Sequence, residues 1–290
     1  MKNYYKLILL GLFISSPLIF SPLSYGASGI VFIHGTGNQT DAATDYWSRE
    51  FIDSVRQGMP EPANYEVINC NFDQYMWDEA AAGCLANQLH TFIQHKNIDD
   101  LIMLTHSNGG NIVRWILSNP TWDSRYIDII NATSRVIALA PSSGGTPLAD
   151  AVNQGSVFET TLGWLLGYGS DAVKQQQVSW MSYYNSTWLN GTQNRPTLGK
   201  PFEVVVGSDV DSAIWDGDSY CAGYQYQVAL ETTQNWLDDC SDGFLECSSQ
   251  SAAGTVWFTD KQKTAGREPL SHQQSRRACF NLDSLIRNHI

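Results

Sequence analysis

The chain has 290 residues, with 29 acidic against 17 basic side chains for a formal net charge of −12, and 12 % of its residues are aromatic. An acid excess of this size argues against a nucleic-acid partner, because gripping phosphates requires a clustered basic surface. The length suits one domain of an α/β enzyme with a full buried core.

Residues 1–26 have the three parts of a secretory signal: Lys2 and Lys6 at the start, an apolar run over residues 7–20, and Ser24-Tyr25-Gly26 with small residues at the −3 and −1 positions. The apolar run is shorter than the roughly 20 residues of a spanning helix, which favours cleavage over retention as a membrane anchor. The mature chain is then expected to start at Ala27, secreted or periplasmic, with the net charge moved from −12 to −14 by loss of the two lysines. Cys70, Cys84, Cys221, Cys240, Cys247 and Cys279 all lie in the exported part, where an oxidising compartment allows three disulfides. Cys70 and Cys84 bracket one loop and are expected to pair; the other four leave three connectivities open. No pair has C-x2-C spacing and no histidine follows at finger-like spacing, which argues against a zinc site.

Residues 27–140 alternate short β-rich runs with helical segments, the pattern of a parallel sheet with crossover helices. Residues 29–34 read as a strand buried on both faces. Thr44 or Asp45 is the expected cap of a helix with Trp47, Phe51 and Val55 on one side, ended by Gly58 and Pro60. Residues 65–69 read as a second strand, and residues 79–95 as a helix with Ala81, Leu85, Leu89 and Phe92 on a shared face. A third strand at 100–105, a helix at 109–118 ended by Asn119-Pro120, and strands at 135–140, 202–206 and 255–259 follow. Leu282, Leu285 and Ile286 mark a closing helix. Between the fourth and fifth strands, residues 150–195 concentrate Leu162, Trp164, Leu165, Leu166, Tyr168, Trp180, Met181, Tyr183, Tyr184 and Trp188. Such a segment suits either a cap over an apolar site or ordinary core helices.

Serine is a weak nucleophile unless a base takes its proton during attack. A tight strand-to-helix turn presents the hydroxyl and needs small residues two positions either side. Leu104-Thr105-His106-Ser107-Asn108-Gly109-Gly110 sits between the third strand and the following helix, with Gly109 at the later small position and Thr105 replacing the usual glycine at the earlier one. Ser107 is the expected nucleophile. The oxyanion formed on attack needs two backbone N–H groups, expected from Asn108 and, in the loop Ile33-His34-Gly35-Thr36-Gly37, from Thr36. The base should follow the serine in the chain; among the six histidines, His272 on a loop after the last strand is the eligible one. The acid is expected to be Asp242, at the turn Asp242-Gly243-Phe244-Leu245, with Asp209 and Asp211 as alternatives. The latter two, with Asp216 and Asp218, also suggest calcium by their carboxylates, but the spacing is not that of an EF-hand and a solvated acidic loop is favoured.

With these residues in hand, the chain resembles the secreted bacterial lipases and esterases of the α/β-hydrolase superfamily. The resemblance is carried by His34-Gly35, by His106-Ser107-Asn108-Gly109-Gly110, by Gly145-Thr146-Pro147-Leu148-Ala149-Asp150 after the fourth strand, and by Asp242-Gly243 with His272. It implies an α/β-hydrolase fold over residues 27–290, with a mostly parallel central sheet flanked by helices and a cap-like insertion after the fourth strand. The run from Asp242 to Ser249 is similar to the acid loop of Pseudomonas-type lipases, which supports Asp242 over Asp209. Those lipases usually build a calcium site partly from an aspartate just after the histidine; Gln273 and Gln274 stand there instead, so no metal and no cofactor is expected. The implied activity is cleavage of carboxylic esters, of acyl lipids first, with transient contact with lipid surfaces. Phospholipase or polyester depolymerase chemistry by the same triad, or a non-catalytic binding role for the same fold, are the alternatives.

Overall fold

The computed structural model describes residues 26–154 and 169–290. Residues 1–25 of the expected leader, and Leu162, Trp164, Leu165, Leu166 and Tyr168 of the expected cap, lie outside the described residues. In chain order the elements used below are β1 (Ala27–Ile33), α1 (Ala42–Asp45), α2 (Arg49–Arg56), β2 (Tyr65–Val67), α3 (Cys84–Lys96), β3 (Ile98–His106), α4 (Gly109–Ser118), α5 (Ser124–Ala132), β4 (Thr133–Leu139), α6 (Pro147–Asn153), α7 (Asp171–Gln175), α8 (Val178–Thr187), β5 (Phe202–Val206), α9 (Tyr224–Gln234), β6 (Thr255–Thr259) and α10 (Leu282–Arg287).

The strands form one sheet in the order β2-β1-β3-β4-β5-β6, every neighbouring pair parallel. Parallel strands need a crossover between them, which puts helices on both faces and demands apolar side chains on both sides of each strand. β1 shows the consequence. Val31 and Ile33 pack into one core with Leu85, Leu89 and Phe92 of α3, Ile112 and Ile116 of α4, and Tyr126 and Ile129 of α5. Ile30 and Phe32 face the other side, against Trp47, then Phe51 and Val55 of α2, and Leu282 and Ile286 of α10. The period-two alternation of a strand divides one apolar run between two cores.

The helix at 109–118 and the strands at 202–206 and 255–259 form as read from sequence. The cap of α2 does not. Ser48 takes that role, its hydroxyl accepting from Phe51 N at 3.2 Å. Thr44 instead turns its hydroxyl back to Asp41 Oδ2 at 2.6 Å, inside the separate one-turn helix α1. The helix expected over 79–95 begins as a π-turn, Glu79–Gly83, before continuing as α3. α5 was not anticipated; Asp123 caps it by accepting from Arg125 N at 2.8 Å. Cys70 pairs with Cys84 as expected, and the remaining cysteines pair as Cys221–Cys279 and Cys240–Cys247.

β1 is flanked by β2 on one side and β3 on the other, so the chain reverses its direction of winding between β1 and β3. Loops leaving the C-terminal ends of two such strands part and leave a crevice. Those loops are His34-Gly35-Thr36 and His106-Ser107-Asn108.

Candidate active site

Ser107 sits between the last residue of β3 and the first of α4, with φ at +54°, a left-handed conformation that a serine adopts only under constraint. Its N–H donates to Leu139 O at 3.0 Å, and its carbonyl accepts from Gly110 N at 3.1 Å. Two glycines let the neighbouring loop close on this turn. A Cβ on Gly109 would lie 2.2 Å from His34 O, and one on Gly35 would lie 2.4 Å from Tyr46 Oη and 2.8 Å from Ser107 Cβ. Thr105, where small residues are usual, is fully buried with its hydroxyl toward Gly110, 3.5 Å from where a Cβ on that glycine would stand.

His272 and Asp242 meet the serine in a hydrogen-bonded series. Ser107 Oγ donates to His272 Nε2 at 3.1 Å, and His272 Nδ1 donates to Asp242 Oδ2 at 2.7 Å. Asp242 is fully buried, and its other oxygen accepts from Phe244 N at 2.9 Å and Leu245 N at 2.7 Å. The backbone reinforces the pair, His272 N donating to Asp242 O at 2.8 Å. Gly243, at φ +84°, lets the acid loop turn where a Cβ would meet Leu230 and Val210 at 2.7 Å. The Phe244 ring stacks on the imidazole at 4.6 Å between centroids. The alternative acids are engaged elsewhere: Asp209 with Gln234 at 3.0 Å and Lys261 at 3.2 Å, Asp211 with Ala213 N at 2.8 Å and Ser219 Oγ at 3.3 Å.

Two further histidines support the site. His106 is fully buried under His272, their rings 4.6 Å apart. Tyr46 Oη donates to its Nδ1 at 2.5 Å, and its Nε2 donates to His272 O at 3.0 Å, which pins the backbone of His272. Burial, then the proximity of His272 and Arg276, holds its pKa well below the ordinary value. His34 donates from Nδ1 to Gly35 O at 2.7 Å, stacks on Phe72 at 4.1 Å, and burial lowers its pKa to about 4. Both rings are therefore neutral at pH 7 and act as shaped hydrogen-bonding parts of the frame.

Thr36 lines a cavity of about 200 Å³ together with Ser107, Phe244, His272, Tyr226 and Arg276, while Asn108 is fully buried at the start of α4. A larger hollow, about 710 Å³, adjoins Pro201 and Phe202 at the opposite end of the sheet and meets none of these residues. Sequence reasoning missed two side chains that reach both loops. Gln175 Nε2 donates to Asn108 Oδ1 at 3.3 Å while its Oε1 accepts from Met76 N at 2.8 Å. Gln176 Nε2 donates to Thr36 Oγ1 and Ala172 O, each at 3.0 Å, and its backbone carbonyl accepts from Thr146 N at 2.8 Å. The end of α7 thus ties the β1 loop, the serine turn and the loop after β4 together. Nothing in the run Gln175-Gln176-Gln177 marks it from an exposed polar stretch, since the first two are fully buried only through tertiary contact. Among the described residues, no group of three or more His, Cys, Asp or Glu side chains is arranged to hold a metal ion.

No family model matches the chain, and no curated protein sequence does. Solved structures do. The mature form of Bacillus licheniformis lipase BlEst2 matches with a TM-score of 0.60 at 20 % identity, over 91 % of this chain and 89 % of that one. Its propeptide form gives 0.59 at 20 % identity, over 87 % of this chain but 47 % of that longer one. Lipase 1 from Pelosinus fermentans gives 0.50 at 13 % identity, over 86 % and 89 %. The likeness establishes the fold: a parallel six-stranded sheet flanked by helices, as in the lipases of the α/β-hydrolase superfamily.

Proposed function

We propose that the protein is a serine hydrolase of carboxylic esters working through an acyl-enzyme, with Ser107 as nucleophile, His272 as base and Asp242 as the acid that fixes the imidazole. The observation that carries this reading is the continuous series Ser107 Oγ, His272 Nε2, His272 Nδ1, Asp242 Oδ2, with links of 3.1 and 2.7 Å. As Ser107 Oγ bonds to the ester carbonyl carbon, His272 takes its proton, and the resulting imidazolium is stabilised by the buried carboxylate. The carbonyl oxygen gains the negative charge and is received by the N–H groups of Thr36 and Asn108, the second at a helix start where the dipole adds to it. Collapse expels the alcohol, which takes the proton from His272. Water then enters by the same route in reverse, releasing the acid and restoring the serine.

Acyl lipids are the substrate class we favour. Two proteins matched over 89 % of their own length are described as lipases, and the rings of Trp180, Tyr183 and Trp188 stand exposed around a groove of about 580 Å³ beside α8, apolar area suited to transient lipid contact. Export is part of the proposal, supported by three disulfides, which persist in oxidising compartments. Among the described residues no helix is long and apolar enough to cross a membrane. Ser107→Ala is expected to lower turnover of a p-nitrophenyl acyl ester by about 10⁶-fold, the scale of losing a triad nucleophile. Turnover near that of the unaltered protein would end the proposal.

A further inference from the structure

Arg276 reaches the cavity wall on the short 3-10 turn Gln274–Arg276, four residues after His272. Its side chain is only 7 % exposed. Nε and Nη2 both donate to the single acceptor Gln273 Oε1, at 3.1 and 2.6 Å, and the guanidinium carbon lies 4.0 Å from the centroid of the Tyr46 ring. Nη1 has no hydrogen-bond partner among the described residues. Nor does any carboxylate there form an ion pair with Arg276. Asp45 borders the same cavity but is exposed to solvent. Arg277 adds a second positive charge, its Nη1 spent on the carbonyls of Tyr46 at 2.5 Å and Arg276 at 3.1 Å.

A buried cation is costly unless an opposite charge or a full set of acceptors offsets its lost hydration. A carboxamide oxygen and an aromatic face offset it in part, and the N–H groups of Nη1 remain unused. The chain has 29 acidic side chains and a net charge of −12, yet none of the described ones is placed against this guanidinium. Burial accordingly lowers the pKa of Arg276, with the tyrosines 46 and 226 as the opposing influences. With Nε and Nη2 held on Gln273, the unpartnered Nη1 of a guanidinium at the wall of the cavity that Ser107 lines is suited to an oxygen of a carboxylate or a phosphate.

We propose that Arg276, oriented by Gln273, is a recognition site for an anionic oxygen group carried by the ester that Ser107 cleaves. This rests on the ester-hydrolase reading above and narrows its substrates to acidic esters. The carboxylate and phosphate sources are separated by two matched pairs: p-nitrophenyl hydrogen adipate against p-nitrophenyl hexanoate, and dihexanoyl phosphatidic acid against dihexanoylglycerol. With spontaneous hydrolysis subtracted, kcat/KM is expected to favour the anionic member of at least one pair by about tenfold or more, as charge-assisted hydrogen bonds provide. The pair that shows the preference names the source. In Arg276→Gln the anionic-to-neutral ratio should fall to near one, and Arg276→Lys should keep part of it. A variant that fails to fold does not shield the proposal, because the ratio in the unaltered protein is itself a test. So is competitive inhibition of hexanoate hydrolysis by adipate or inorganic phosphate, weakening as salt is raised. A ratio near or below one in both pairs, or a ratio that persists in Arg276→Gln, overturns the assignment while leaving ester hydrolysis intact. Absence of turnover with all four esters overturns both.

Discussion

The clearest test of the triad is Asp242→Asn, because the surrounding hydrogen bonds dictate what the variant must do. Oδ1 accepts from Phe244 N at 2.9 Å and Leu245 N at 2.7 Å, and Oδ2 accepts from His272 Nδ1 at 2.7 Å. An asparagine of the same shape keeps its oxygen in the Oδ1 place, since an NH2 there would face two N–H groups in a fully buried spot. Its amide N–H groups then face His272. The ring must accept at Nδ1, its proton moves to Nε2, and that proton points at the Ser107 oxygen whose own proton the base has to take. Packing is unchanged but the tautomer is wrong. The expected loss in kcat is about 10⁴-fold, or about 5.4 kcal/mol of transition-state stabilisation, with little change in the thermal unfolding midpoint. Steady-state hydrolysis of p-nitrophenyl butyrate at pH 7, alongside a melting curve, makes the measurement. Activity within tenfold of the unaltered protein, or a larger loss in Asp209→Asn, would refute the reasoning.

The same frame gives two further expectations. Gln176→Leu removes the donor that holds Thr36 Oγ1 and leaves Ala172 O without it; loosening one oxyanion donor should lower kcat by about 10- to 100-fold, less than outright loss of a donor, with KM changed by less than about threefold. Equal kcat in the variant, or a loss confined to KM, would show that the clamp does not act on the oxyanion. His34 has its pKa lowered by burial from 6.5 to about 4, so below pH 6.5 the unfolded chain binds a proton that the folded one refuses, and the stability that its neutral ring contributes is lost as pH falls from 6.5 towards 4. That is about 2 kcal/mol between pH 7 and pH 5; His34→Gln should show a correspondingly shallower fall in urea unfolding free energy over that interval, and an unchanged slope would contradict the assignment.

What could be read in the sequence follows from how local each cause is. β5, β6 and α4 need only their own apolar runs and the stop at Asn119-Pro120, and they form where expected. Ser107 and His272 could be picked out as candidates because a nucleophile turn must lie between strand and helix and because His272, among six histidines, follows the serine on a loop after the last strand. Asp242 could be favoured over Asp209 from its turn ahead of the apolar Phe244 and Leu245, with the resemblance as further support; in the fold Phe244 and Leu245 turn their N–H groups onto Asp242 while Lys261 pairs with Asp209. The cap at Ser48 was missed because three polar residues within five positions compete for one helix start, and the decision falls to Asp41, whose carboxylate accepts the Thr44 hydroxyl. Gln175 and Gln176 were invisible because their burial depends on the loops after β1, β3 and β4 arriving together.

The departure at Gln273-Gln274 bears most on how this chain differs from the lipases it resembles. Where they are expected to place a calcium-binding aspartate, Gln274 Oε1 accepts from Ser271 N at 3.0 Å and its Nε2 donates to Asp218 O at 3.3 Å. One carboxamide therefore joins the backbone of the residue before His272 to the backbone of Asp218 at the end of the acidic loop. Gln273, the neighbouring replacement, turns to Arg276 and holds its guanidinium at the cavity wall. An aspartate in that position would neutralise Arg276 with a full ion pair and leave it little to offer a ligand. A neutral carboxamide orients the cation without cancelling its charge, so Gln273 leaves Arg276 a free positive charge at the wall of the cavity that Ser107 also lines.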